Sequence, residues 1–146
     1  MTPTDIALIR TSWAAVEPIA DIAAGLFYTR LFELDPTIER LFRRTDMNAQ
    51  RKNLMQTLTV VVKSLDKLEG IVPAVQALGR RHAGYGVREA HYATVGEALL
   101  WTLETGLGEA FTPDVRDAWA GAYGTLATVM IEAARADTET AVEAAA

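Results

Sequence analysis

The chain holds two histidines, His82 and His91, and no cysteine. His82 lies in GRRHAGYGV (79–87), between a pair of arginines and a run of glycines. The absence of cysteine excludes disulfides, thiolate metal sites and a cysteine nucleophile. Zinc or bare iron takes three or four protein ligands, which one histidine cannot supply. If His82 binds a metal, that metal must arrive in a macrocycle, where one axial imidazole suffices. The plainer alternative is a hydrogen-bonded histidine at a helix end, its charge suited to the helix dipole. His91 competes for the same role. Its place at a helix start, before Tyr92, favours a structural histidine hydrogen-bonded near the junction.

Two polar residues could face such an imidazole. Gln50 lies four residues before Leu54, which puts an amide on the face of an apolar stripe. Tyr28 is a phenol among Ala24, Leu31 and Phe32. Each alone has an ordinary reading: a buried tyrosine finds a backbone partner, and an amide near a helix start is solvated. With His82 they form a constellation.

The elements that must position these residues are helical. Ile6, Ile9, Trp13 and Val16 share one face, behind an N-cap in Thr2-Pro3-Thr4-Asp5. Pro18 marks a break. A second helix carries Ile22, Leu26, Phe27, Tyr28, Leu31 and Phe32 to about Leu34. DPTIERLF (35–42) reads as a short helix capped by Asp35, and RRTDMN as a polar connection. Leu54, Leu58, Val61, Val62 and Leu65 give one buried stripe, broken by DKLEG. A helix over about 71–82 places Val75, Leu78 and His82 on one face, and Gly84 and Gly86 end it. Another, over about 89–105, carries Tyr92, Val95, Leu99 and Leu103 and stops at GLG. Thr112-Pro113 starts a last helix burying Val115, Trp119, Tyr123, Leu126 and Met130. The tail TETAVEAAA is weakly patterned and reads as a frayed helix end or an appended segment. The expectation is one all-α domain over residues 1–146, with six to seven helices of unequal length in a globin-type packing.

Composition narrows the function classes. A chain of 146 residues can bury a sizeable core. Its net charge of −5 argues against a nucleic-acid binder. No apolar run is long enough for a membrane span, and the N-terminus lacks the pattern of a signal peptide. The expected location is cytoplasmic.

The motifs LFYTRLFELDP, ERLF, QRKNLMQTL, GRRHAGYGVREAHYATVG and AWAGAYGTLATVM occur in order, with 32 residues from Gln50 to His82. This set resembles the bacterial single-domain haemoglobins and the haem domain of flavohaemoglobins, over about residues 4–132. The resemblance implies a globin fold around a haem pocket, with haem b as cofactor. It implies that His82 is the proximal iron ligand, that Phe42 stacks on the haem and that Pro36 starts the third helix. It makes Tyr28 and Gln50 the distal polar pair, with Leu54 beside the ligand and Leu58 deeper along the haem edge. Val87, Tyr92 and Val95 would line the proximal side, and Arg81 would meet a propionate. Arg80 and Arg81 also have the reading of a solvated charged face. Gly84 and Gly86 would let the chain turn tightly beneath the haem.

The resemblance further implies reversible binding of O2, and also of NO and CO, at a five-coordinate haem iron. An alternative is NO dioxygenation with a separate flavin- or NAD(P)H-dependent reductase; another is a haem-based gas sensor. No G-x-G-x-x-G dinucleotide motif is present. In the family, a glutamate on the last helix supports a tyrosine and the proximal histidine. Tyr92 matches the tyrosine, but Ala134 stands at the glutamate position. Glu132 lies about 200° around the helix and cannot replace it. Monomer and homodimer both remain open.

Overall fold

Thr2 caps the first helix, α1 (Pro3–Val16), by a reciprocal pair of bonds with Asp5. The computed structural model describes the backbone of residues 1–145 and side chains through Asp137. Pro18 lies in a short 3-10 turn, Glu17–Ile19, before α2 (Ala20–Leu34). Asp35 caps α3 (Pro36–Glu39), and a 3-10 turn over Arg40–Phe42 follows. Asp46 caps α4 (Met47–Lys63) through the amides of Asn48 and Ala49. DKLEG becomes the 3-10 segment Leu65–Gly70. Then come α5 (Val72–Gly84), α6 (Glu89–Leu107) and α7 (Pro113–Ala145). Thr112 accepts from the Val115 amide at the start of α7. Seven α-helices and no strand are found among the described residues. The expectation for the tail falls on side chains outside the described residues.

The core joins α1, α2, α6 and α7. Ile9, Leu31 and Leu103 are fully buried within it. Trp13 and Trp119 meet at 5.8 Å. Both indoles spend their N–H inside the protein: Trp119 Nε1 donates to Ser12 Oγ at 2.8 Å, and Trp13 Nε1 donates to Thr59 Oγ1 at 3.1 Å. The second bond ties α4 to α1. Arg10 strengthens that tie by donating to the Val62 and Lys63 carbonyls, which lie at the C-terminal end of α4.

Glycine sets two close approaches. A Cβ on Gly79 would lie 2.4 Å from the Met130 carbonyl oxygen, so α5 crosses α7 backbone to backbone. A Cβ on Gly96 would lie 2.9 Å from the Tyr123 ring. The expected role of Gly84 is corrected: it is the last residue of α5, without positive φ, and a Cβ there would meet nothing. Gly86, at φ 95°, makes the turn alone. Ile22 is exposed rather than part of the apolar face of α2, because that face is filled by Ala23, Ala24, Phe27 and Leu31. Tyr123, Leu126 and Met130 are half-buried rather than buried. The small residues Ala118, Ala122, Ala127 and Ala133 fill the tight positions on α7 instead.

Candidate functional site

Tyr28 is 4% exposed on the inner face of α2. Its ring is fixed edge-on by Phe42 at 5.6 Å and by Phe27 at 5.0 Å, with Phe32 at 6.0 Å. Gln50, on the first turns of α4, donates from Nε2 to the Tyr28 hydroxyl oxygen at 3.1 Å. The sequence-predicted pair is therefore in direct contact. Because the phenol oxygen accepts from the amide, its own proton remains free to donate elsewhere. Burial raises the Tyr28 pKa above its ordinary value of 10.0, more strongly than the Gln50 bond lowers it. The hydroxyl is thus held as a protonated donor at neutral pH.

His82 lies on the last turn of α5. Its Nδ1 is 2.8 Å from the Leu78 carbonyl oxygen, one turn back. That carbonyl can only accept, so Nδ1 carries the proton and Nε2 keeps its lone pair. Burial lowers the His82 pKa below 6.5, with the Leu78 bond opposing and the Arg81 charge adding to the fall. A neutral imidazole with one nitrogen fixed by a backbone carbonyl is the state that ligates a metal.

The other side chains that the resemblance assigns to a haem pocket share one degree of burial. Leu54 and Leu58 on α4, Val87 after α5, and Tyr92 and Val95 on α6 are all half-buried. Helix α4 is held by α1 and α2, and α5 by α7; the two form no packed interface with each other. The helices bearing Gln50 and His82 are thus set apart rather than zipped together. Among the described residues, no cluster of three or more acidic or histidine side chains could hold a bare metal ion. The donor set suits a metal already held by a macrocycle.

Other expected residues are placed as follows. His91 Nδ1 accepts from the Arg88 amide at 2.9 Å, which is the helix-start role read for it. Arg81 is exposed beside His82, and Arg80 pairs with Asp137 at 3.3 Å. The Tyr92 hydroxyl makes no hydrogen bond to His82 among the described residues; the imidazole partner is Leu78. Helix α7 runs unbroken past Ala134, and Glu132 is exposed, so no register shift brings that carboxylate inward. A cleft of about 520 Å³ opens beside Phe32 and Phe42, and Tyr28, Gln50 and His82 are not among its lining residues.

Two positioning groups were not read from sequence. The Leu78 carbonyl could have been found from its i−4 spacing to His82. The Tyr123 hydroxyl donates to the Tyr92 carbonyl at 2.6 Å, fixing α6 against α7. A bond across 31 residues leaves no local signal.

This all-α fold, with seven α-helices among the described residues, His82 on α5 and the Tyr28–Gln50 contact between α2 and α4, is that of a globin, a class of haem-binding helical proteins. The Globin family profile matches residues 25–130, and the chain belongs to that family. It is 31% identical over 128 residues to a flavohemoprotein of Bacillus subtilis (strain 168), covering 86% of this chain and 32% of that protein. It is also 31% identical over 138 residues to a flavohemoprotein of Bordetella bronchiseptica, covering 93% of this chain and 34% of that protein. The chain thus spans about a third of the length of these relatives. Its fold matches a bacterial globin from Campylobacter jejuni with a TM-score of 0.83 at 24% identity, over 94% of this chain and 99% of that one.

Proposed function

We propose that this globin binds haem b through His82 Nε2 and reversibly binds O2, and also NO and CO. Haem supplies an iron with one coordination position left for a diatomic gas. The observation that carries the reading is the Tyr28–Gln50 contact. The amide occupies the phenol oxygen and leaves the phenol proton to donate to the gas. Phe42 packs on the Tyr28 ring and limits its motion. Leu54 and Leu58 keep the gas position apolar, Val87, Tyr92 and Val95 line the side of His82, and Arg81 meets a propionate. The His82 partner is a neutral carbonyl rather than a carboxylate, so the imidazole is not pushed toward an anionic, strongly donating state. This favours reversible binding over oxygen activation.

The visible spectrum tests the reading. The purified ferrous protein is expected to be five-coordinate and to give a stable spectrum change with O2. His82→Ala is expected to lose haem. Wild-type-like haem in that variant would overturn the assignment of His82.

A second reading, NO dioxygenation with an external flavin- or NAD(P)H-dependent reductase, draws on the relatives named flavohemoproteins. Catalytic, NADH-dependent NO consumption with added reductase is its expected signature. Loss of NO limited to one equivalent would sink it.

A further inference from the structure

Charge is segregated along this chain. Eight of the fourteen Lys and Arg residues fall in two short segments, 40–52 and 80–88. Those segments hold one of the nineteen acidic residues, Asp46. The rest of the chain carries six basic residues against eighteen acidic ones.

The fold brings the two basic segments together. The Gly86 turn rests on the corner after α3, where its Cβ would lie 3.3 Å from Leu41 Cδ2. Arg40, Arg43, Arg44, Lys52, Arg81 and Arg88 are all exposed. Among the described residues none of these six forms an ion pair. Tyr85, in the same turn, is 67% exposed and offers an aromatic contact amid the charge. The cleft beside Phe32 and Phe42 is lined by Arg40 and Arg43, with Glu39 as its one carboxylate. One of these segments contains Gln50 and the other His82.

Two propionates would occupy two positive charges and leave a surplus. We propose that this face docks an acidic redox protein that delivers electrons to the haem. The proposal rests on the haem reading above. The partner's reduced flavin loses one electron and ferric haem iron gains it; no covalent bond forms or breaks. A compact acidic protein meets the basic face alone and is steered by the dipole of an otherwise acidic chain. An extended anionic membrane would also confront the acidic remainder.

The test uses the holoprotein with an acidic flavodoxin as probe. Fluorescence anisotropy reads docking, and stopped-flow absorbance reads haem reduction by photoreduced flavodoxin. Raising ionic strength from about 20 to 300 mM should weaken docking and slow second-order reduction by about tenfold or more, because exposed charges are screened. Combined Arg40→Glu, Arg43→Glu and Arg44→Glu should produce a similar loss at low salt. Arg116→Glu, on the exposed face of α7, should stay within about twofold of wild type. Salt-independent docking and reduction in the wild type, or a triple variant equal to wild type, would overturn the proposal. Salt-dependent docking without reduction would overturn the electron-delivery role. Tighter binding to phosphatidylserine vesicles than to flavodoxin at equal ionic strength would assign the face to a membrane instead. Failure to hold haem at all would show first in the absorption spectrum and would overturn both readings, whereas a normal haem spectrum with failed docking would overturn this one alone.

Discussion

The Gln50 amide donates to the Tyr28 hydroxyl oxygen at 3.1 Å, joining two helices across 22 residues of sequence. The direction of that bond decides what each residue can do. In the proposed function Tyr28 would donate to a gas ligand and Gln50 would orient it.

Tyr28→Phe should therefore speed O2 dissociation by about tenfold or more. A hydrogen bond to a partly charged acceptor contributes about 1.5–3 kcal/mol, and each ~1.4 kcal/mol is tenfold in an equilibrium constant. Gln50→Leu keeps the phenol and should give a smaller increase. Stopped-flow measurement of O2 release checks both. An unchanged off-rate in Tyr28→Phe would remove the tyrosine from the distal role.

Two glycines of α5 should respond oppositely to alanine. Gly79→Ala drives a Cβ into the Met130 backbone and should cost about 1–3 kcal/mol through overpacking. It should also loosen haem, since the same helix carries His82. Gly84→Ala meets open space in a helical conformation and should be neutral or stabilising by up to about 1 kcal/mol. Urea denaturation of the two variants makes the comparison.

Ser12→Ala should cost about 1–3 kcal/mol. It leaves the Trp119 indole N–H buried without its partner. Thermal unfolding should register the loss, while the O2 off-rate stays as in the wild type because neither residue reaches the site.

Alkaline pH should destabilise the fold. Burial raises the pKa of Tyr28, Tyr92 and Tyr123 above the ordinary 10.0, and for Tyr123 the neighbouring Tyr92 adds to the rise. Between pH 10 and the raised folded values, the unfolded chain has released protons that the folded chain still holds. Stability is therefore full below pH 10 and falls as pH rises beyond it. Melting temperatures measured from pH 8 to 11 should show this decline, and Tyr123→Phe should flatten it. An equally steep decline in that variant would exclude Tyr123 as a contributor.

Much of this protein was legible in its sequence because the signals are local. The caps at Thr2, Asp35 and Thr112 needed only neighbouring residues, and so did the apolar periodicity. His82 stood out because the chain has two imidazoles and no thiol. Tertiary structure decided relations between distant segments and the direction of hydrogen bonds. It made Gly86 rather than Gly84 the turn and gave Gly79 its backbone crossing with Met130. It also folded two separate basic segments onto one face through Leu41 and Gly86. Periodicity reports which face of a helix is apolar. It carries no information about which helix lies opposite, how closely the backbones approach, or which atom of a polar pair keeps its proton.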